Sequence, residues 1–127
     1  MRLKYAILYV EDVPATLDFY EQAFGLIRKM LHESGDYGEL DTGTTSLSFS
    51  SRSLMADLGK NPAKPDPREP VFEIAFETED VKSALQKATS AGAQLVQDVR
   101  DEPWGQTTSY VADPNGFLIE ICSPVKA

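Results

Sequence analysis

Apolar and polar positions alternate along residues 3–10, with Ala6, Leu8 and Val10 on one side and Tyr5, Ile7 and Tyr9 on the other. A period of two predicts a strand. The pattern then lengthens: Val13, Leu17, Tyr20 and Phe24 recur at three- and four-residue steps, which predicts an amphipathic helix. Asp12 stands where an N-cap belongs, Pro14 falls in the first turn, and Gly25 stops the helix. Three short strands are predicted next, at 26–32, 37–41 and 45–51, with turns at Ser34-Gly35-Asp36 and Thr42-Gly43-Thr44.

Residues 52–70 break this order. Residues 52–58 suit a helical turn or two, and residues 60–70 carry four prolines in eleven positions. So many prolines exclude a helix or a central strand and predict a linker. Beyond it the first half repeats. A strand at 71–78 leads to a helix entry at Glu79-Asp80-Val81, and Leu85, Ala88 and Gly92 continue and end that helix. Strands follow at 94–100, 106–112 and 117–122. The Glu-Asp-Val triplet at 11–13 recurs at 79–81, and Leu17 matches Leu85, both at an offset of 68. The expected fold is α+β: two βαβββ modules, residues 1–51 and 71–123, joined by the linker at 52–70. Each is too small to bury its own sheet face.

The last strand is introduced by Asp113-Pro114-Asn115-Gly116, where proline presets φ and Asn-Gly is expected to supply the positive φ of a tight hairpin. Phe117, Ile119 and Ile121 then point one way, and Leu118, Glu120 and Cys122 the other. The repeat pairs Tyr5 with Glu73, and, at an offset near 72, Ser48 with Glu120. Sorted by parity, Ala6, Leu8, Val10, Leu47, Phe49, Phe72, Ile74, Phe76, Phe117, Ile119 and Ile121 form an apolar face for the helices. The opposite face carries Tyr5, Ile7, Tyr9, Ser46, Ser48, Ser50, Glu73, Ala75, Glu77, Leu118, Glu120 and Cys122. An antiparallel sheet can leave such a face to water. Tyr, Ser and Glu without Lys or Arg instead suggest a partly shielded cup that holds a ligand.

Composition narrows the partners. The 127 residues fit one domain or two small units sharing a core. A net charge of −8 argues against nucleic acid and anionic membrane surfaces. No apolar run approaches the roughly 18 residues of a membrane span, and the start lacks a signal-peptide core. The single cysteine, Cys122, excludes an internal disulfide and makes the cytoplasm the expected compartment.

Asp12-Val13 with Leu17-Asp18-Phe19-Tyr20 and Phe24-Gly25-Leu26 resembles the opening signature of the vicinal-oxygen-chelate superfamily, and residues 113–120 resemble its closing signature. That group includes glyoxalase I, bleomycin-resistance proteins, extradiol dioxygenases and fosfomycin-resistance enzymes. The resemblance implies paired βαβββ modules around a cavity, commonly in a homodimer. It also implies metal ligands on the first and last strands of each module, usually His, Glu and Gln. Those places fall on Tyr5, Ser48, Glu73 and Glu120. Only Glu120 keeps a typical ligand. Without imidazole the set does not suit Zn²⁺ or Ni²⁺, whereas two carboxylates could hold Mg²⁺ or Mn²⁺ through water and substrate oxygens.

Of the remaining candidates, His32 reads as an exposed strand-end residue, and Cys122 as a packing residue with no neighbouring base to activate it. Trp104 serves either the core or the apolar wall of a binding site, where Gln106 would orient a ligand through its amide. The expected function is small-molecule binding or sequestration in a homodimer with a degenerate metal site and no resident cofactor. The ligand contacts are Tyr5, Ile7, Tyr9, Ser48, Glu73, Trp104, Gln106 and Glu120. The alternative is a lyase, isomerase or dioxygenase using Glu73 and Glu120 with a hard metal or as an acid–base pair.

Overall fold

The computed structural model describes residues 1–126. It comprises two compact units, Met1–Lys64 and Pro65–Ala127. In the first, β1 (Tyr5–Val10), α1 (Val13–Phe24), β2 (Ile27–Leu31), β3 (Tyr37–Asp41) and β4 (Ser46–Ser51) run in order, and α2 (Arg52–Asp57) follows. In the second the order recurs as β5 (Glu73–Glu77), α3 (Val81–Ser90), β6 (Gln94–Glu102), β7 (Gln106–Ala112) and β8 (Leu118–Cys122). These are the two expected βαβββ modules. Each forms its own four-stranded open sheet, ordered β1-β4-β3-β2 and β5-β8-β7-β6. In both, the first strand pairs parallel to the last, and the remaining pairs are antiparallel.

The register confirms the duplication position by position. Tyr5 lies beside Ser46 and Ile7 beside Ser48; Glu73 lies beside Leu118 and Ala75 beside Glu120. The offsets of 68 and 72 read from the sequence carry one set of pairs onto the other. Local chemistry is repeated as well. Asp12 Oδ1 accepts from the Ala15 amide at 3.0 Å, and Asp80 Oδ1 accepts from the Ser83 amide at 3.1 Å. Each carboxylate thus satisfies an amide that the first helical turn leaves without a partner. Gly25, at φ 68°, closes α1 by donating to the Glu21 carbonyl.

Helix α1 buries Val13, Leu17, Phe19, Tyr20 and Ala23, and Leu8, Val10, Leu40 and Phe49 are buried on the sheet of the same unit. A full burial is worth roughly 1.5–3 kcal/mol for a Val- or Leu-sized side chain. Gly38 on β3 permits the close approach, since a Cβ there would stand 2.6 Å from Leu17 Cδ1. Arg28 on β2 fastens the outer strand to the helix through Asp18 at 2.7 Å and Glu21 at 2.6 Å. In the second unit α3 buries Val81, Leu85 and Ala88, and Val111, Ile119 and Ile121 are buried on the sheet.

Three expectations need correction. The strand predicted at 71–78 begins only at Glu73, so Phe72 lies before it, 50% exposed, with its ring set edgewise against Phe117. The turn before β8 is not an Asn-Gly hairpin of positive φ: Gly116 alone takes that conformation, at φ 104°. The buried Asp113 carboxylate holds this turn, with Oδ1 accepting from the amides of Asn115, Gly116 and Phe117 at 2.8–2.9 Å. Finally, Trp104 is 55% exposed in the chain, which removes it from the core. No described helix is long and apolar enough to cross a membrane.

Candidate functional site

In the second unit the polar face of the sheet gathers two carboxylates around one phenol. Glu120 on β8 sits directly across from Tyr110 on β7 and directly beside Ala75 on β5. The small Ala75 side chain leaves this middle row uncrowded. Tyr110 Oη lies 2.8 Å from Glu120 Oε2 and 3.3 Å from Glu73 Oε2. A phenol carries a single proton, so it can donate to one of these carboxylates at a time. The shorter contact assigns that proton to Glu120, which leaves Glu73 as an acceptor facing the same oxygen. Burial, followed by the hydrogen bond and charge of Glu120 and the charge of Glu73, pushes the Tyr110 phenol well above the ordinary tyrosine range. The group therefore remains a neutral donor at any physiological pH.

Two further side chains border this group. Cys122 is buried, and burial followed by the Glu120 charge pushes its thiol up. A thiol held in that state is a packing residue, as its sequence context implies. Gln106 is held at both ends of its amide: its Oε1 accepts from Trp104 Nε1 at 2.7 Å and its Nε2 donates to the Ser123 carbonyl at 3.0 Å. It positions the exposed indole.

The first unit holds the counterpart. Ser46, Ser48 and Ser50, on the strand expected to line a partly shielded cup, are all buried. Ser48 lies directly across from Glu39 and directly beside Ile7, the row equivalent to Tyr110, Glu120 and Ala75. Glu39 Oε2 accepts from Tyr37 Oη at 2.7 Å. Burial raises the Tyr37 phenol; a hydrogen bond from Ser48 opposes the rise and Glu39 adds to it. Ser46 Oγ lies 3.2 Å from Ser48 Oγ, within reach of the Leu40 carbonyl. Lys29 Nζ stands 4.0 Å from Glu39 Oε1, which corrects the expectation of a face without basic residues. Tyr5 and Ile7 are each nearly half exposed beside this network.

The candidates Tyr5, Ile7, Tyr9, Ser48, Glu73, Gln106 and Glu120 lie on strands, and Trp104 lies in the turn between β6 and β7. The structure brings Glu73 and Glu120 together through Tyr110. Tyr110, Tyr37 and Glu39 were not among those candidates. Their signal was present: Tyr110 stands between the buried Ser109 and Val111, as Tyr37 and Glu39 flank the buried Gly38. Sorting the middle strands by parity, as was done for the outer ones, would have found them.

The four positions where the resemblance leads one to expect metal ligands, Tyr5, Ser48, Glu73 and Glu120, hold a phenol, a hydroxyl and two carboxylates. His32, the sole imidazole of the sequence, lies beyond the end of β2, its Nδ1 accepting from the Ser34 amide. Among the described residues, no three His, Cys, Asp or Glu side chains cluster as a cation site requires. The donor set does not fit Zn²⁺ or Ni²⁺.

Tandem βαβββ modules, with a polar sheet face opposite the helices, define a class of fold. The chain belongs to the Glyoxalase/Bleomycin resistance protein/Dioxygenase superfamily, whose family model matches residues 2–121. It is 27% identical over 124 residues to the protein YraH of Bacillus subtilis (strain 168), covering 95% of this chain and 97% of that one. It is 29% identical over 131 residues to a lactoylglutathione lyase of Neisseria meningitidis serogroup A, covering 94% and 88%. A glyoxalase-related enzyme from Fulvimarina pelagi superposes with a TM-score of 0.84 at 21% identity, over 97% of this chain and 88% of that one.

Proposed function

We propose that the protein binds and sequesters a small molecule bearing a cationic or strongly hydrogen-bond-donating group, in a homodimer with a degenerate metal site. The observation that carries this reading is the proton count at Tyr110. Two carboxylates share one phenolic proton, so the group has acceptor capacity to spare and one donor. A ligand N–H or ammonium completes it through a charge-assisted hydrogen bond, the stronger kind. The net charge of −8 favours approach of the same ligand. Exposed Trp104, held by Gln106, supplies an aromatic contact. Tyr5, Ile7, Tyr9 and Ser48 are the proposed contacts in the first unit. The single buried cysteine supports a cytoplasmic location.

A second reading draws on the likeness to the lactoylglutathione lyase and on Glu120, the ligand type retained at its expected place. It makes the protein an enzyme in which Glu73 and Glu120 act as an acid–base pair or hold Mg²⁺ or Mn²⁺.

Metal analysis of the purified protein separates the two, combined with melting curves in Mg²⁺, Mn²⁺, Ni²⁺, Zn²⁺, benzamidinium and neutral benzamide. Binding to the native state raises the melting temperature by mass action. The binding reading expects a shift with benzamidinium, none with benzamide, and a smaller shift in Glu120→Gln. A stoichiometric metal lost in Glu120→Gln would sink it in favour of the enzyme.

A further inference from the structure

The two modules carry the same chemical pair on the same face, built from different positions. In the second unit the carboxylate is on the last strand and the phenol stands across from it: Glu120 on β8, Tyr110 on β7. In the first unit the last strand offers only Ser48, and the residue across from it is Glu39, bonded to Tyr37 two positions along the same strand. The carboxylate has moved one strand sideways. Short serines at 46, 48 and 50 make this feasible, because they leave space above β4 for the longer side chains of β3.

The Glu39 carboxylate is poorly compensated for its burial. Its side chain is 12% exposed, one oxygen accepts from Tyr37, and among the described residues the other has only Lys29 Nζ at 4.0 Å, a long ion pair. The hydroxyls around it have other partners: Ser46 reaches the Leu40 carbonyl and Ser48, and Ser48 bonds the Tyr37 phenol. A buried carboxylate costs free energy unless its lone pairs are satisfied. Beside it the partly exposed Tyr5 and Ile7 offer an apolar and aromatic surface.

We propose that Glu39, held by Tyr37 over the Ser46–Ser48 floor, is a second ligand-binding carboxylate, which takes a cationic nitrogen carried on an aromatic or aliphatic body. This rests on the reading of the polar face as a ligand surface and extends it to a residue outside the family's ligand positions. Lys29 is the internal competitor that a ligand cation displaces.

The test is a titration of the full-length protein, ¹³C-labelled in its tyrosine rings, with benzamidinium and then benzamide. The rings of Tyr37 and Tyr110 are assigned through Phe variants. Benzamidinium, and not benzamide, is expected to shift the Tyr37 ring. Glu39→Gln is expected to weaken that response about tenfold or more, since a charge-assisted bond is lost. Glu120→Gln is expected to leave it in place, and Lys29→Met to strengthen it. If Glu39→Gln does not fold, Glu39→Asp carries the same readout, with the carboxylate drawn back by one methylene. A shift at Tyr110 alone overturns this proposal and leaves the Glu73–Glu120 reading standing. A shift at neither ring overturns both. A Tyr37 shift that survives loss of the Glu39 charge also overturns it, because the carboxylate would then be structural.

Discussion

At the scale of single residues, the phenols of Tyr110 and Tyr37 give this protein its most direct electrostatic signature. Both are raised in the folded state, by burial first and then, for Tyr110, by Glu120. An unfolded tyrosine titrates near pH 10. Below that pH both states keep the proton and stability is unaffected. Above about pH 10 the unfolded chain releases it first and binds fewer protons than the native state, so stability falls as pH rises. Melting temperature is therefore expected to decline above about pH 10. Tyr110→Phe should flatten much of that decline, and the double variant with Tyr37→Phe should flatten more. An unchanged slope in Tyr110→Phe would mean that the phenol is not held by the carboxylates. Parity alone placed Glu73 and Glu120 on one face. That a tyrosine bridges them was not legible, because it depends on which residue of β7 stands across from Glu120.

At the scale of elements, helix boundaries and strands were readable because their causes are local. Asp12, Asp80 and Gly25 do in the structure what their positions announce. The turn before β8 was read less well. Its residue types were right, but the carboxylate of Asp113 organises it, and Gly116 faces a constraint from outside the turn. A Cβ at Gly116 would lie 2.7 Å from the Pro65 carbonyl oxygen, at a φ of 104° that L-residues avoid. Gly116→Ala is expected to destabilise the protein by about 2 kcal/mol or more in urea unfolding, from strain and clash together. A cost below about 0.5 kcal/mol would show that the proline-rich segment yields freely. Nothing in the Asp-Pro-Asn-Gly motif reports that contact, since Pro65 is far away in sequence.

At the scale of the molecule, the duplication governs what can be expected. Each module has one helix to cover one face of a four-stranded sheet, and the chain leaves Phe72, Leu95, Val96 and Trp104 substantially exposed. Scattered exposed apolar residues are ordinary, but this number on a chain of 14.0 kDa is consistent with the proposed homodimer. Light scattering during size-exclusion chromatography should give twice 14.0 kDa, and Trp104→Glu should lower that mass if the indole is at the dimer contact. A 14.0 kDa particle at micromolar concentration would rule the dimer out.

By itself the sequence determined the elements, their repetition and the two faces of each sheet. Periods of two and of about 3.6, caps and turn residues act over a few positions, so they are written where they act. Family membership followed from the same signatures. Only the tertiary structure decided which polar residues meet. The β7–β8 register set Tyr110 across from Glu120, and the β3–β4 register set Glu39 across from Ser48. Register depends on packing and turn geometry summed over whole strands, and a slip of one residue would send each of these side chains to the opposite face.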